Sequence, residues 1–122
     1  MKIAISLDEN KGLDSQASNI FGRCNYYLVF NVEDETFTVE ENPAKSASGG
    51  AGIQAAQWII NQEAEAVVSG NLGPKAYDVL AAGKIAAYRH NGGTAQEIIK
   101  AYKEEKLECL LEPNVDAHSG LN

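Results

Sequence analysis

Apolar and polar residues change their spacing several times along the chain, and each change marks an element. Lys2 to Leu7 is a run of small and β-branched residues, which predicts a mostly buried strand. From Asp8 to Gly22 no spacing is sustained, and an irregular segment of that length predicts a functional loop. Tyr26 to Val32 and Thr36 to Glu41 are two β-rich runs joined by Glu33, Asp34 and Glu35, which predicts an antiparallel hairpin.

Beyond the hairpin the pattern alternates between helix and strand. Pro43 and then Ser46-Ala47-Ser48-Gly49-Gly50-Ala51-Gly52 form a flexible approach to a helix reaching about Glu63, with Ile53, Ala56, Trp58 and Ile60 on its apolar side. Ala66 to Ser69 reads as a short buried strand, and Gly70-Asn71-Leu72-Gly73 turns into a helix with Pro74 at its first position. Gly83 is placed to end that helix as a left-handed cap. Ile85 to Tyr88 makes the last expected strand. Thr94 and Glu97 then have the spacing of a capping box, and Ala95, Ile98, Ile99 and Tyr102 repeat at helical intervals. This order makes the chain α/β: a single domain over residues 1–112, followed by a polar tail from Pro113 to Asn122.

Composition narrows the functional classes. A length of 122 residues serves one hydrophobic core, and 44% hydrophobic with 22% charged residues is an ordinary globular balance. No apolar run approaches the roughly 20 residues of a membrane span, and the opening Met1-Lys2-Ile3-Ala4-Ile5-Ser6-Leu7-Asp8 is too short for a secretory core. The expected location is therefore cytoplasmic, with no membrane partner. Ten basic residues against 17 acidic give a net charge of -7, and the basic residues do not cluster, so nucleic acid is not an expected partner. Cys24 and Cys109 are too few for a disulfide framework and lack the spacing of a zinc knuckle.

Candidate chemistry concentrates where glycines precede helices. Gly49-Gly50-Ala51-Gly52, Gly70-Asn71-Leu72-Gly73 and Asn91-Gly92-Gly93-Thr94 each lead into one. If the preceding strands are parallel neighbours, these helix starts converge outside the carboxyl edge of the sheet, where open α/β sheets hold ligands. Amides near Gly50, Gly52, Asn71 and Gly73 would then serve an anionic ligand, although glycine also simply makes tight turns. Phe21-Gly22-Arg23-Cys24-Asn25 offers a planar cation at Arg23 and a soft ligand at Cys24, whose thiolate the cation favours. The plainer reading of the same residues is a packed Phe, a surface Arg and a buried Cys. His90, just after the last strand, and His118, in the tail, are further metal-ligand candidates, although neither is paired at ligand spacing. Cys109 reads as a core or edge-strand residue. No nucleophile elbow is present, and neither cysteine has a recognisable base, so binding is expected and catalysis is not.

Taken in order, Ser6-Leu7-Asp8, Phe21-Gly22-Arg23, Tyr26-Tyr27-Leu28-Val29-Phe30, Gly50-Ala51-Gly52, Val68-Ser69-Gly70-Asn71-Leu72-Gly73-Pro74-Lys75-Ala76 and Gly83-Lys84-Ile85-Ala86-Ala87-Tyr88 carry a resemblance. The chain resembles the dinitrogenase iron-molybdenum cofactor biosynthesis family, the small proteins and domains like NifX, NafY and the C-terminal part of NifB. The resemblance covers nearly the whole chain. It implies a ribonuclease H-like fold, with a mixed five-stranded sheet that contains one antiparallel hairpin and is flanked by about three helices. It also implies a non-catalytic carrier or chaperone of an iron-sulfur or iron-molybdenum cluster, with a cofactor-assembly protein as partner. In cofactor-carrying members a histidine implicated in cluster binding commonly precedes the Phe-Gly pair. That position here is Ile20, which makes Cys24 the candidate replacement ligand. The competing reading is a module that holds a non-metal small anion or a protein partner at the same edge. A nuclease on this fold would need several carboxylates at the sheet centre. Asp8 lies near the first strand, but the central strand Ala66 to Ser69 supplies none.

Overall fold

The computed structural model describes residues 1–110. His118, the tail from Pro113 to Asn122 and the last two residues of the expected domain lie outside the described residues. The elements are β1 (Lys2–Leu7), β2 (Tyr26–Asn31), β3 (Phe37–Glu41), α1 (Ala51–Asn61), β4 (Ala64–Ser69), α2 (Pro74–Ala82), β5 (Ala86–Arg89), α3 (Ala95–Lys103) and β6 (Glu108–Leu110). They build one mixed sheet in the order β3-β2-β1-β4-β5-β6. β1, β4 and β5 are parallel neighbours, whereas β2 runs antiparallel to both β1 and β3, and β6 antiparallel to β5.

The sheet therefore has six strands, not the five expected. The sixth is only three residues long and its Glu108 and Cys109 are exposed, so no alternation of burial announces it. Cys109 takes the edge-strand alternative. A second correction falls at the end of α2. Gly83 has φ -82 and it is Lys84 that takes the left-handed conformation, at φ 61. A Cβ at position 83 would stand 2.8 Å from Ile60 Cδ1 of α1, so the Ile60 side chain would have to shift to admit one.

Alternate residues of the central strands feed two cores. Ala4, Tyr27, Val29, Val67 and Ala87 face α1 and α2, meeting Ala55, Ala56, Ile59, Ala76 and Leu80. Ile3, Ile5, Leu28, Phe30, Ala66 and Val68 face α3 through Ala95, Ile98 and Ile99. Both faces of β1 and β4 are thus covered, which explains why their sequences read as continuous apolar runs. α3 opens as its sequence demands: the Thr94 hydroxyl accepts the Glu97 N–H at 3.3 Å, and Glu97 Oε1 accepts the Thr94 N–H at 2.9 Å. Among the described residues no helix is long and apolar enough to cross a membrane.

Candidate functional site

The carboxyl ends of β1, β4 and β5 lie side by side, and α1, α2 and α3 all start on that edge of the sheet. The loop after β1 folds back over it. Ala17 bridges to Leu7, Gln16 to Thr94 and Ile20 to Asn71, so the loop is stitched to β1 and to the approaches of α2 and α3. Backbone bonds from Ser18 N to the Ser6 carbonyl (2.8 Å) and from Ala17 N to the Gly93 carbonyl (2.9 Å) fix its height. Gly70 permits the crossing, because a Cβ there would sit 2.7 Å from Asn19 Cα and 2.8 Å from the Asn19 carbonyl oxygen.

Where loop and sheet meet, a polar notch of about 310 Å³ is lined by Asn19, Gly70, Asn71, Arg89, His90 and Asn91. His90 holds it together from below. Its ring is buried, Nδ1 accepts the Gly92 N–H at 2.9 Å, and the proton is therefore assigned to Nε2, which donates to the Ser18 carbonyl at 2.8 Å. Burial lowers the pKa of His90, an effect the nearby Arg89 charge reinforces, while the Ser18 hydrogen bond and Asp8 act the other way. The same Ser18 carbonyl lies 3.2 Å from Ser6 Oγ, which is itself 3.0 Å from Ser69 Oγ, both hydroxyls being buried. Arg89 is exposed and forms no ion pair among the described residues.

The structure distributes the sequence-derived candidates unevenly. Asn71 and His90 join the notch, but both ring nitrogens of His90 are engaged in hydrogen bonds. Gly50, Gly52 and Gly73 sit at the starts of α1 and α2 and are not among the notch's lining residues. Gly50 is left-handed at φ 68, and α1 and α2 have no side-chain cap.

Cys24 follows the plainer of its two readings, a buried thiol, and not that of a cation-activated soft ligand. It is 1% exposed, its Sγ donates to the Tyr26 carbonyl at 3.3 Å, and burial pushes its pKa up to about 11. Arg23 does not set its charge state. The guanidinium instead reaches the carbonyls of Lys45 (3.1 Å) and Ala47 (2.9 Å), clamping the approach to α1. Asn42 completes the clamp by donating to the carbonyls of Gly22 (2.9 Å) and Cys24 (3.0 Å). Ile20 is half-buried and packs against the α1–α2 core.

Sequence reasoning missed Asn19, Asn91 and Arg89 as lining residues. The available signal was Arg89-His90-Asn91 directly after a strand predicted to end at the ligand-binding edge. The lining side chains offer a guanidinium and carboxamides, and among the described residues no three His, Cys, Asp or Glu side chains gather to hold a metal ion. A guanidinium and carboxamides can hold an anion by charge and hydrogen bonds.

Comparison with known proteins identifies the family. The family described as dinitrogenase iron-molybdenum cofactor matches residues 1–105. An uncharacterized protein of Methanocaldococcus jannaschii is 34% identical over 111 residues, covering 88% of this chain and 90% of its own. Among solved structures, the apo form of the orange protein from Desulfovibrio gigas superposes with a TM-score of 0.89 at 26% identity, over 93% of this chain and 96% of that one. A NifB-like protein from Thermotoga superposes at 0.78 with 33% identity, over 89% and 92% of the two chains.

Proposed function

Because the chain belongs to the dinitrogenase iron-molybdenum cofactor family, we propose that it is a non-catalytic carrier of an anionic iron-sulfur or iron-molybdenum cluster, held at the carboxyl edge of the sheet. The observation that carries this reading is the polar notch with its exposed Arg89, which forms no ion pair among the described residues. A cluster with exposed sulfides or a carboxylate arm presents acceptors to such donors. Arg89 supplies charge, Asn19, Asn71 and Asn91 supply directional hydrogen bonds, and the uncapped start of α2 adds its dipole. Cargo held in this way leaves without a metal–protein bond being broken, as a carrier requires.

The buried thiol of Cys24 is not part of this proposal as a ligand. Its role is packing, beside the aromatic group of Phe21, Tyr27 and Trp58. The reading takes the fold as ribonuclease H-like, on the support of the mixed sheet with β2 reversed against β1. It places the protein in the cytoplasm, where a cofactor-assembly protein would deliver and collect the cargo.

A second reading is favoured by the absence of gathered metal-ligating side chains among the described residues: the same donors would hold a small metal-free oxoanion. Anaerobic mixing with a preformed, thiolate-capped iron-sulfur cluster, followed by gel filtration and absorption spectroscopy, tests the first reading against the second. A coloured protein peak supports cluster carriage. A colourless peak, with inorganic phosphate or sulfate raising the melting temperature, supports the other.

A further inference from the structure

β3 ends the sheet, and among the described residues nothing pairs with its outer side. The ladder to β2 shows which groups are left there. Asn31 N donates to the Thr36 carbonyl and Asn42 N to the Asn25 carbonyl, so in the register Phe30↔Phe37 to Tyr26↔Glu41 the even-numbered residues of β3 bond to β2. The amides and carbonyls of Phe37, Val39 and Glu41 therefore point away from the sheet. That leaves three donors and three acceptors in line.

The side chains along this edge are equally distinctive. Phe37 is one of two exposed large apolar side chains among the described residues, at 40% exposure. Glu40 and Glu41 are exposed and form no ion pair among the described residues. In the adjoining turn, by contrast, Glu33 pairs with the N-terminal amine and Glu35 with Lys103. On the α1 side of the strand lies a groove of about 620 Å³, whose lining includes Lys2, Val29, Asn31, Thr38, Glu40 and Gln62.

From these features we infer that β3 receives an extended, basic segment of a partner protein as a seventh strand. An added antiparallel strand satisfies the outward groups of Phe37, Val39 and Glu41. Residues on it opposite Glu41 and Glu40 are basic, one on each face. Residues opposite Val39 and Phe37 are apolar and cover the exposed ring. Read in the partner's direction, the complementary pattern is two adjacent basic residues, an apolar one, a small polar one and a second apolar one.

Charge decides against the two other occupants. A second copy would bring another acidic edge and another net charge of -7 onto this one. The chain's own tail, residues 111–122, contains no lysine or arginine.

The test is a titration of the isotopically labelled full chain with a peptide containing Lys-Lys-Val-Thr-Val, followed by NMR and amide exchange. The amides of Phe37, Val39 and Glu41 are expected to shift and gain protection. A Glu-Glu-Val-Thr-Val peptide is expected to bind at least about tenfold more weakly. Val39→Pro removes an outward N–H that the β2 ladder does not use, as edge strands tolerate, and is expected to abolish binding while β2 amides stay protected. Where Val39→Pro disturbs the fold, the double variant Glu40→Lys with Glu41→Lys serves instead and is expected to invert the peptide preference. Equal binding of the two peptides overturns the inference, as do undiminished binding by a folded Val39→Pro and shifts confined to β6. It is overturned equally if the free chain dimerises through β3, or if its own tail already protects these amides.

Discussion

His90 Nε2 and the Ser18 carbonyl meet at 2.8 Å, tying the end of β5 to the loop that crosses β1 and β4. Because Nδ1 is occupied by the Gly92 N–H, the tie exists in one neutral tautomer only. The floor of the notch is therefore a buried polar network whose integrity depends on an uncharged imidazole.

A pH dependence of stability follows, and its sign is fixed. The folded pKa of His90 lies below the ordinary 6.5, so below that pH the unfolded chain takes up a proton that the folded chain resists. Stability should hold at neutral pH, fall as pH drops through 6.5, and level off only below the folded value. Melting temperatures between pH 8 and pH 5, about that span being enough, should show this slope in the native protein and a shallower one in His90→Gln. Equal slopes would remove His90 from the account of the notch.

Gly70→Ala should damage the same edge for a steric reason. The added methyl would stand 2.7 Å from a backbone atom of Asn19, where no flexible side chain can yield. A loss on the order of 3 kcal/mol, the upper range for overpacking, is expected in urea denaturation. The crossing loop should lose amide protection before the α1 face does.

The two cysteines should differ sharply in reactivity. Cys109 is exposed on β6, while Cys24 is buried with a thiol pKa of about 11. A thiol-specific chromogenic reagent at pH 8, a conventional assay value of about that figure, should label Cys109 alone in the folded chain and both after denaturation. Rapid labelling of both in the folded chain would contradict the burial of Cys24.

Thr94→Ala removes the hydroxyl that caps α3 and leaves Glu97 to hold the Thr94 amide position alone. A cost of about 1 kcal/mol is expected from thermal or denaturant unfolding. A change near zero would mean that the bridge from Gln16 to Thr94, and not the cap, sets where the helix begins.

How far the sequence reached can be judged residue by residue. β1 was legible over Lys2–Leu7 because a strand covered on both faces has no polar interruption. α3 was legible because Thr94 and Glu97 form a local capping device. β4 begins at Ala64, two residues before the apolar run suggests, because exposed Glu65 breaks that run without breaking the strand. At the site, the convergence of three helix starts on one edge was conditional on β1, β4 and β5 being parallel neighbours, which they are. The chemistry of the edge did not follow. Arg23 stands next to Cys24 in sequence, yet its guanidinium reaches Lys45 and Ala47, so adjacency predicted an electrostatic effect that the folded chain does not have. Asn19 enters the notch only because Gly70 lets the loop lie against β4, a long-range steric fact with no local pattern.

The most direct measurement compares native protein, Arg89→Glu and Cys24→Ala after anaerobic mixing with the same preformed iron-sulfur cluster, read as cluster absorbance co-eluting with protein. Native protein and Cys24→Ala should retain the chromophore equally, and Arg89→Glu should retain it at least about tenfold less well. A chromophore that survives Arg89→Glu and vanishes in Cys24→Ala would contradict the notch as the cluster-holding site.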